Sequence, residues 1–125
     1  MPDLPEIVSQ AWASREGPVV LTTVSADGVP NSIYANCAEK FSEGIIAVTD
    51  NYFNKTRENL QRPHTGSLLF ITAERKAYQI KGRLDYETEG ELFDFMLTWS
   101  NPKHPRVGVA IINVEEVYCG GERLL

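Results

Sequence analysis

The chain has 125 residues, 12 Lys+Arg against 17 Asp+Glu, a net charge of -5 and 42% hydrophobic residues. That is one domain with enough chain to bury a core without disulfides or metal. The negative balance and scattered basic residues argue against nucleic acid as a main partner. No apolar run approaches the ~20 residues that span a bilayer, so no membrane contact is expected.

Taken in order, Asp3 to about Glu16 reads as a helix. Asp3 can cap it, Pro5 suits its first turn, and Ile7, Val8, Ala11 and Trp12 share a face. Gly17-Pro18 should stop it. Val19 to Ser25 is β-branched and apolar, a strand, and Asp27-Gly28 is a hairpin turn. Val29 to about Glu39 returns as a second strand. Ser42-Glu43-Gly44 turns into a third, Ile45 to Thr49. A short helix follows from Asn54 towards Pro63. Ser67 to Thr72 is the fourth strand. Ala77 to Tyr86 alternates as a half-buried fifth, with Tyr78, Ile80, Gly82, Leu84 and Tyr86 on one face. Gly82 inside it suggests a bulge or a close backbone approach. Thr88 and Glu91 form a capping-box pattern for a helix to about Ser100. Its apolar residues Leu92, Phe93, Phe95, Met96, Leu97 and Trp99 cover more than one face, which suits contact with its own sheet and with a partner chain. Asn101 to Arg106 is a loop, and Val107 to Tyr118 the last strand. The expected fold is mainly β: a six-stranded antiparallel barrel, closed or nearly so, with peripheral helices. Closure would remove exposed edges, and a sandwich is the alternative.

Cys37 and Cys119 form no CxxC and have no neighbouring histidine at zinc spacing, so no metal site is expected. Reduced thiols suit a cytoplasmic protein. Met1-Pro2-Asp3-Leu4-Pro5 has no basic or apolar part of a signal peptide. Nucleophile-elbow, dinucleotide-loop and P-loop signatures are missing, and no catalytic residue stands out. His64 and His104 sit beside prolines and read as surface histidines.

Four stretches carry chemistry. Asn54-Lys55-Thr56-Arg57-Glu58-Asn59-Leu60 starts a helix at a cation. Lys55 there is poor for the helix dipole but good for an anion held by N–H groups, a hydroxyl and an ammonium together. The plain alternative is a solvated helix capped by Asn54. In Ser32-Ile33-Tyr34-Ala35-Asn36-Cys37-Ala38, Ser32, Tyr34 and Asn36 share a polar face that suits either solvent or a planar polar ring. In Asp50-Asn51-Tyr52-Phe53, Tyr52 is free for stacking, while Phe53 reads as a hydrophobic staple. Lys81 and Arg83 share a strand face and are either solvated or extra charge for a pocket.

These segments, together with Val20-Leu21-Thr22-Thr23-Val24-Ser25-Ala26-Asp27-Gly28-Val29-Pro30, Tyr78-Gln79-Ile80-Lys81-Gly82-Arg83 and Val114-Glu115-Glu116-Val117-Tyr118, come in an order that resembles the small FMN-binding split-barrel proteins related to pyridoxamine 5'-phosphate oxidase. The resemblance covers nearly the whole chain. It implies a six-stranded split β-barrel homodimer with FMN at the subunit interface. It implies Ser32, Ile33, Tyr34, Ala35 and Asn36 beside the flavin ring, and Asp50, Asn51, Tyr52, Lys55, Thr56 and Asn59 on the ribityl chain and phosphate, with Lys55 and Thr56 on the phosphate itself. Full-length oxidases grip substrate phosphate with a basic C-terminal segment. This chain reads Glu122-Arg123-Leu124-Leu125 there. Some related proteins bind a deazaflavin or haem instead. The expectation is a small flavin redox protein, with a non-catalytic flavin-binding, storage or interaction module, or a barrel that binds a deazaflavin or haem, as the alternative.

Overall fold

The structure, a computed structural model, describes residues 2–125. In chain order the elements are α1 (Glu6–Ala13), β1 (Arg15–Val24), β2 (Pro30–Ala35), β3 (Ala38–Ser42), β4 (Ile45–Asp50), α2 (Lys55–Asn59), β5 (His64–Thr72), β6 (Ala77–Glu87), α3 (Glu91–Trp99), β7 (Gly108–Cys119) and β8 (Glu122–Arg123). The strands make one antiparallel sheet in the order β2-β1-β5-β6-β7-β4-β3, with β8 on β7. Its inner face carries alternate apolar residues of the strands: Val19 and Leu21, Leu68 and Phe70, Ile112 and Val114, Ile46 and Val48, with Tyr78, Ile80 and Leu84 as the alternation of their strand predicts. α1 adds Val8, Ala11 and Trp12 to this core, with Trp12 edge-on to Phe70 at 5.2 Å.

A second, smaller cluster lies under α3. Met96 is fully buried there with Ala47, Val109 and Ile111, and Leu92, Phe93, Phe95 and Trp99 pack around it. This explains the broad apolar face of α3: the helix covers the outer face of β4 and β7, which are therefore apolar on both sides. Leu97 stays exposed.

The sheet departs from a closed six-stranded barrel. It has eight strands, and its two ends, β2 and β3, are not hydrogen-bonded to each other. The strand expected from Val29 to Glu39 breaks at Asn36-Cys37. Its first half pairs with β1 and its second half with β4, at opposite ends of the sheet, and one straight strand cannot do both. The polar–apolar alternation runs on through the break, so periodicity gave no sign of it. β8 folds back after Gly120, whose φ is 57°, and extends the sheet beyond the last expected strand.

Two caps also differ. α1 is shorter than expected and begins after Pro5 with no side-chain cap. β1 starts at Arg15 and passes through Gly17-Pro18, where a bulge between Glu16 and Val20 absorbs the residue without an N–H. α3 begins after Gly90 at φ 102° with no side-chain bond, so the Thr88–Glu91 box does not form. Gly82 does mark a close approach. The β6–β7 register shifts at Lys81/Gly82, and a Cβ at Gly82 would lie 1.7 Å from the Asn113 carbonyl oxygen.

Candidate functional site

The break between β2 and β3 opens a cleft of about 510 Å³. β2 turns Asn31, Ile33 and Ala35 towards it, the β4–α2 loop supplies Asn51, Tyr52, Phe53 and Asn54, and α2 supplies Lys55 and Thr56. Tyr34, Asn36, Cys37, Thr49 and His104 complete the lining. Two segments distant in sequence thus meet although β2 is one end of the sheet and β4 is next to the other.

The predicted residues divide. Ile33, Tyr34, Ala35, Asn36, Asn51, Tyr52, Lys55 and Thr56 line the cleft together. Ser32 faces the other side of the sheet, where its hydroxyl pairs with Thr22 at 2.8 Å. Asn59 is buried behind α2 and donates to Thr23 Oγ1 at 3.0 Å. Asp50 is 0% exposed and lies behind the loop rather than in the cleft wall.

Asp50 has all its capacity used by protein. Arg57 donates to it twice, Nε to Oδ2 at 2.6 Å and Nη2 to Oδ1 at 3.0 Å. Tyr86 Oη donates to Oδ2 at 2.6 Å, and the Phe53 N–H donates to Oδ1 at 2.9 Å. Burial pushes the Asp50 carboxyl up, but these hydrogen bonds and the Arg57 charge outweigh it and hold the group below its ordinary value. Pairing with Asp50 raises Arg57. The Tyr86 hydroxyl is pushed up to about 12, by burial first and then by its bond to Asp50. Gly108 admits this arrangement, since a Cβ there would lie 2.2 Å from Tyr86 Oη. The cluster pins the start of the loop, and the Val107 N–H adds a bond to the Asp50 carbonyl at 2.9 Å.

The cleft side is different. The Thr49 hydroxyl is buried without a hydrogen-bond partner. Lys55 is exposed and makes no ion pair among the described residues. Asn54 sits at the N-cap position of α2, but its side chain makes no cap bond. Thr56 accepts from Asn31 Nδ2 at 3.0 Å, which ties α2 to β2 across the cleft. Phe53 packs against the main core, as a staple would, while also lining the cleft.

At the rim, Tyr52 Oη lies 3.2 Å from His104 Nδ1, with the rings edge to face at 5.8 Å. The Asn51 side chain accepts from the Arg106 N–H at 3.0 Å, so the loop before β7 is held to the loop after β4. Reasoning from sequence left His104 on the surface and passed over Asn31 and Thr49. The inward alternation of β2 could have found Asn31, but a lone threonine ending an apolar strand carries no signal. Lys81 lies over the Tyr118 ring at 4.8 Å and Arg83 pairs with Asp85 at 2.9 Å, both outside the cleft. Trp99 packs beside Phe95 under α3 and does not reach it.

Among the described residues no group of His, Cys, Asp and Glu could hold a metal ion, and no helix is long and apolar enough to cross a membrane.

The chain is 32% identical over 108 residues to the uncharacterized protein MJ0282 of Methanocaldococcus jannaschii, covering 80% of this chain and 70% of that one. Its fold is similar to HupZ of Group A Streptococcus, with a TM-score of 0.79 at 20% identity over 97% of this chain and 94% of that one. It is similar to an FMN-binding protein of Syntrophomonas wolfei, with a TM-score of 0.68 at 17% identity over 87% and 80%. It is similar too to HutZ, the haem storage protein of Vibrio cholerae, with a TM-score of 0.67 at 17% identity over 94% and 95%. The family model for pyridoxamine 5'-phosphate oxidase matches residues 7–119. With that match spanning nearly all of the sheet, the chain belongs to the pyridoxamine 5'-phosphate oxidase family.

Proposed function

We propose that this protein binds FMN in the cleft between β2 and α2 and acts as a small flavin-dependent redox protein, either a reductase or oxidase of a small substrate or an electron carrier. The observation that carries the reading is a set of unused polar groups around one cleft with apolar walls. Thr49 Oγ1 has no partner, Lys55 has no counter-ion, and both line the same space. Its volume of about 510 Å³ lies within the usual range for ligand sites.

In this reading Lys55 and Thr56 hold the phosphate by a charge-assisted bond and a hydroxyl bond. Ile33, Ala35 and Phe53 offer apolar surface to the ring. Asn36, Asn51, Asn54 and Thr49 offer donors and acceptors to its heteroatoms and to the ribityl hydroxyls. Bound flavin supplies the electron transfer itself, and the protein supplies placement and electrostatics. The exposed Tyr34 and Tyr52 (78% and 71%) suit a cleft completed by the second subunit of a homodimer.

The visible spectrum of the purified protein tests this. Flavin absorbance, native or gained on mixing with FMN, is expected, and a protein that stays colourless refutes the reading. Anaerobic mixing with NADH or NADPH then separates a reductase, which bleaches, from a module that only binds flavin. One observation favours haem as a second reading: an imidazole, His104, lines the cleft with its Nε2 free of the Tyr52 contact. A Soret band in place of flavin bands would select it.

A further inference from the structure

Past Lys55 the surface opens into a second lobe of about 260 Å³, lined by Val29, Pro30, Glu58 and Asn59 and sharing Asn31 and Lys55 with the first. The two lobes therefore meet at a cation and an amide. Lys55 is the only Lys or Arg lining either one. A mononucleotide would end its charge at that junction and leave the second lobe to water. A ligand with its charge in the middle and a body on each side fits both lobes at once.

The chemistry of the second lobe narrows what that second body is. Glu58 is exposed, carries a negative charge and makes no ion pair among the described residues. It repels a phosphate placed beyond Lys55, so the charged group stays at the junction. What a free carboxylate accepts is an uncharged hydroxyl pair, such as a ribose diol. Val29 and Pro30, at the end of the β1–β2 hairpin, give an apolar patch, with Val29 59% exposed. Such a patch suits the face of a planar base. Asn59 donates its amide to Thr23, which fixes it in the wall of this lobe.

We propose that the second lobe is an adenosine subsite, so that the protein accepts a flavin dinucleotide, with its diphosphate at Lys55 and Asn31 and its ribose on Glu58. The inference rests on flavin occupying the first lobe.

Calorimetric titration with FMN and with FAD, each against wild type, Glu58→Ala and Val29→Asp, tests it. FAD is expected to bind at least as tightly as FMN. Glu58→Ala is expected to weaken FAD by about tenfold or more, as for the loss of hydrogen bonds to a charged group, and to leave FMN within about twofold. Val29→Asp, which puts a second negative charge in the lobe, should do the same. Both positions are exposed, and FMN binding by the same preparations reports that the variants are folded. Tight FMN binding with FAD more than about tenfold weaker overturns the adenosine subsite alone. Variants that change neither ligand, or both equally, overturn it as well. Failure of both flavins in wild type overturns the flavin reading of the first lobe and this inference with it.

Discussion

The two sides of the β4–α2 loop make opposite use of polar groups. Behind the loop, Asp50, Arg57, Tyr86 and the Phe53 N–H satisfy one another. In front of it, among the described residues, Thr49 Oγ1 has no partner and Lys55 no counter-ion. A buried polar group left alone is costly, and one fully paired is structural. The contrast separates a scaffold from the proposed binding wall within a few residues of chain, and it can be attacked from both sides.

The largest effect is expected from the scaffold. Asp50→Ala strips the cluster of its buried centre and should cost about 2–4 kcal/mol of stability in denaturant unfolding, short of the full range for a wholly buried pair because Arg57 is 40% exposed and keeps some hydration. The same cluster fixes a pH signature. The folded Asp50 carboxyl is held below its unfolded value, so its contribution is complete above the unfolded pKa of about 3.9 and is lost as pH falls through the lower folded value. Tyr86 behaves inversely. Its folded value of about 12 lies above the unfolded one, so its contribution is complete below the unfolded pKa and is lost as pH rises through about 12. The stability gap between wild type and Asp50→Asn should therefore narrow in acid, and a gap independent of pH would contradict the ionised cluster.

On the binding side, Lys55→Ala should reduce FMN affinity by about 1.5–3 kcal/mol, the loss of one charge-assisted bond, with the unfolding midpoint of the flavin-free protein unmoved. Gly108→Ala links the two sides. Its methyl meets Tyr86 Oη, so a loss of about 1–3 kcal/mol from overpacking is expected, with flavin affinity falling only as far as the loop is displaced. The smallest effect is the sharpest. Thr49→Val removes a hydroxyl that nothing in the protein uses, so stability should hold or rise, while FMN affinity drops by about 0.5–1.5 kcal/mol. A matching loss of stability would mean that Thr49 belongs to the scaffold.

Sequence separated these roles only in part. The alternation of Ala77 to Tyr86 placed Tyr78, Ile80 and Leu84 on the buried face, because periodicity reports which face is buried. The segment Asn51 to Thr56, which lines the cleft, stood out in the sequence because amides, an aromatic and a cation follow an apolar strand at once. Asp50 belonged to the same run, and nothing in its neighbours shows that its carboxylate turns backwards. That direction is set by Arg57, seven residues on in α2, and by Tyr86 on β6, a contact 36 residues away. The direction of Asn59 was hidden for the same reason, since Thr23, its partner, lies on β1. The break at Asn36-Cys37 was invisible because either half alone is a sound strand, and only the order of the whole sheet forbids their union.

That break has a kinetic consequence. Because no ladder joins β2 to β3, the two ends of the sheet can part without losing a backbone hydrogen bond between them. Across the cleft the Asn31–Thr56 bond joins β2 to α2, and a group bound between the walls would add to it. Opening at this seam is thus among the lowest excursions available to the fold. A ligand that touched both walls would raise its free energy by mass action and so act as a clasp on this seam.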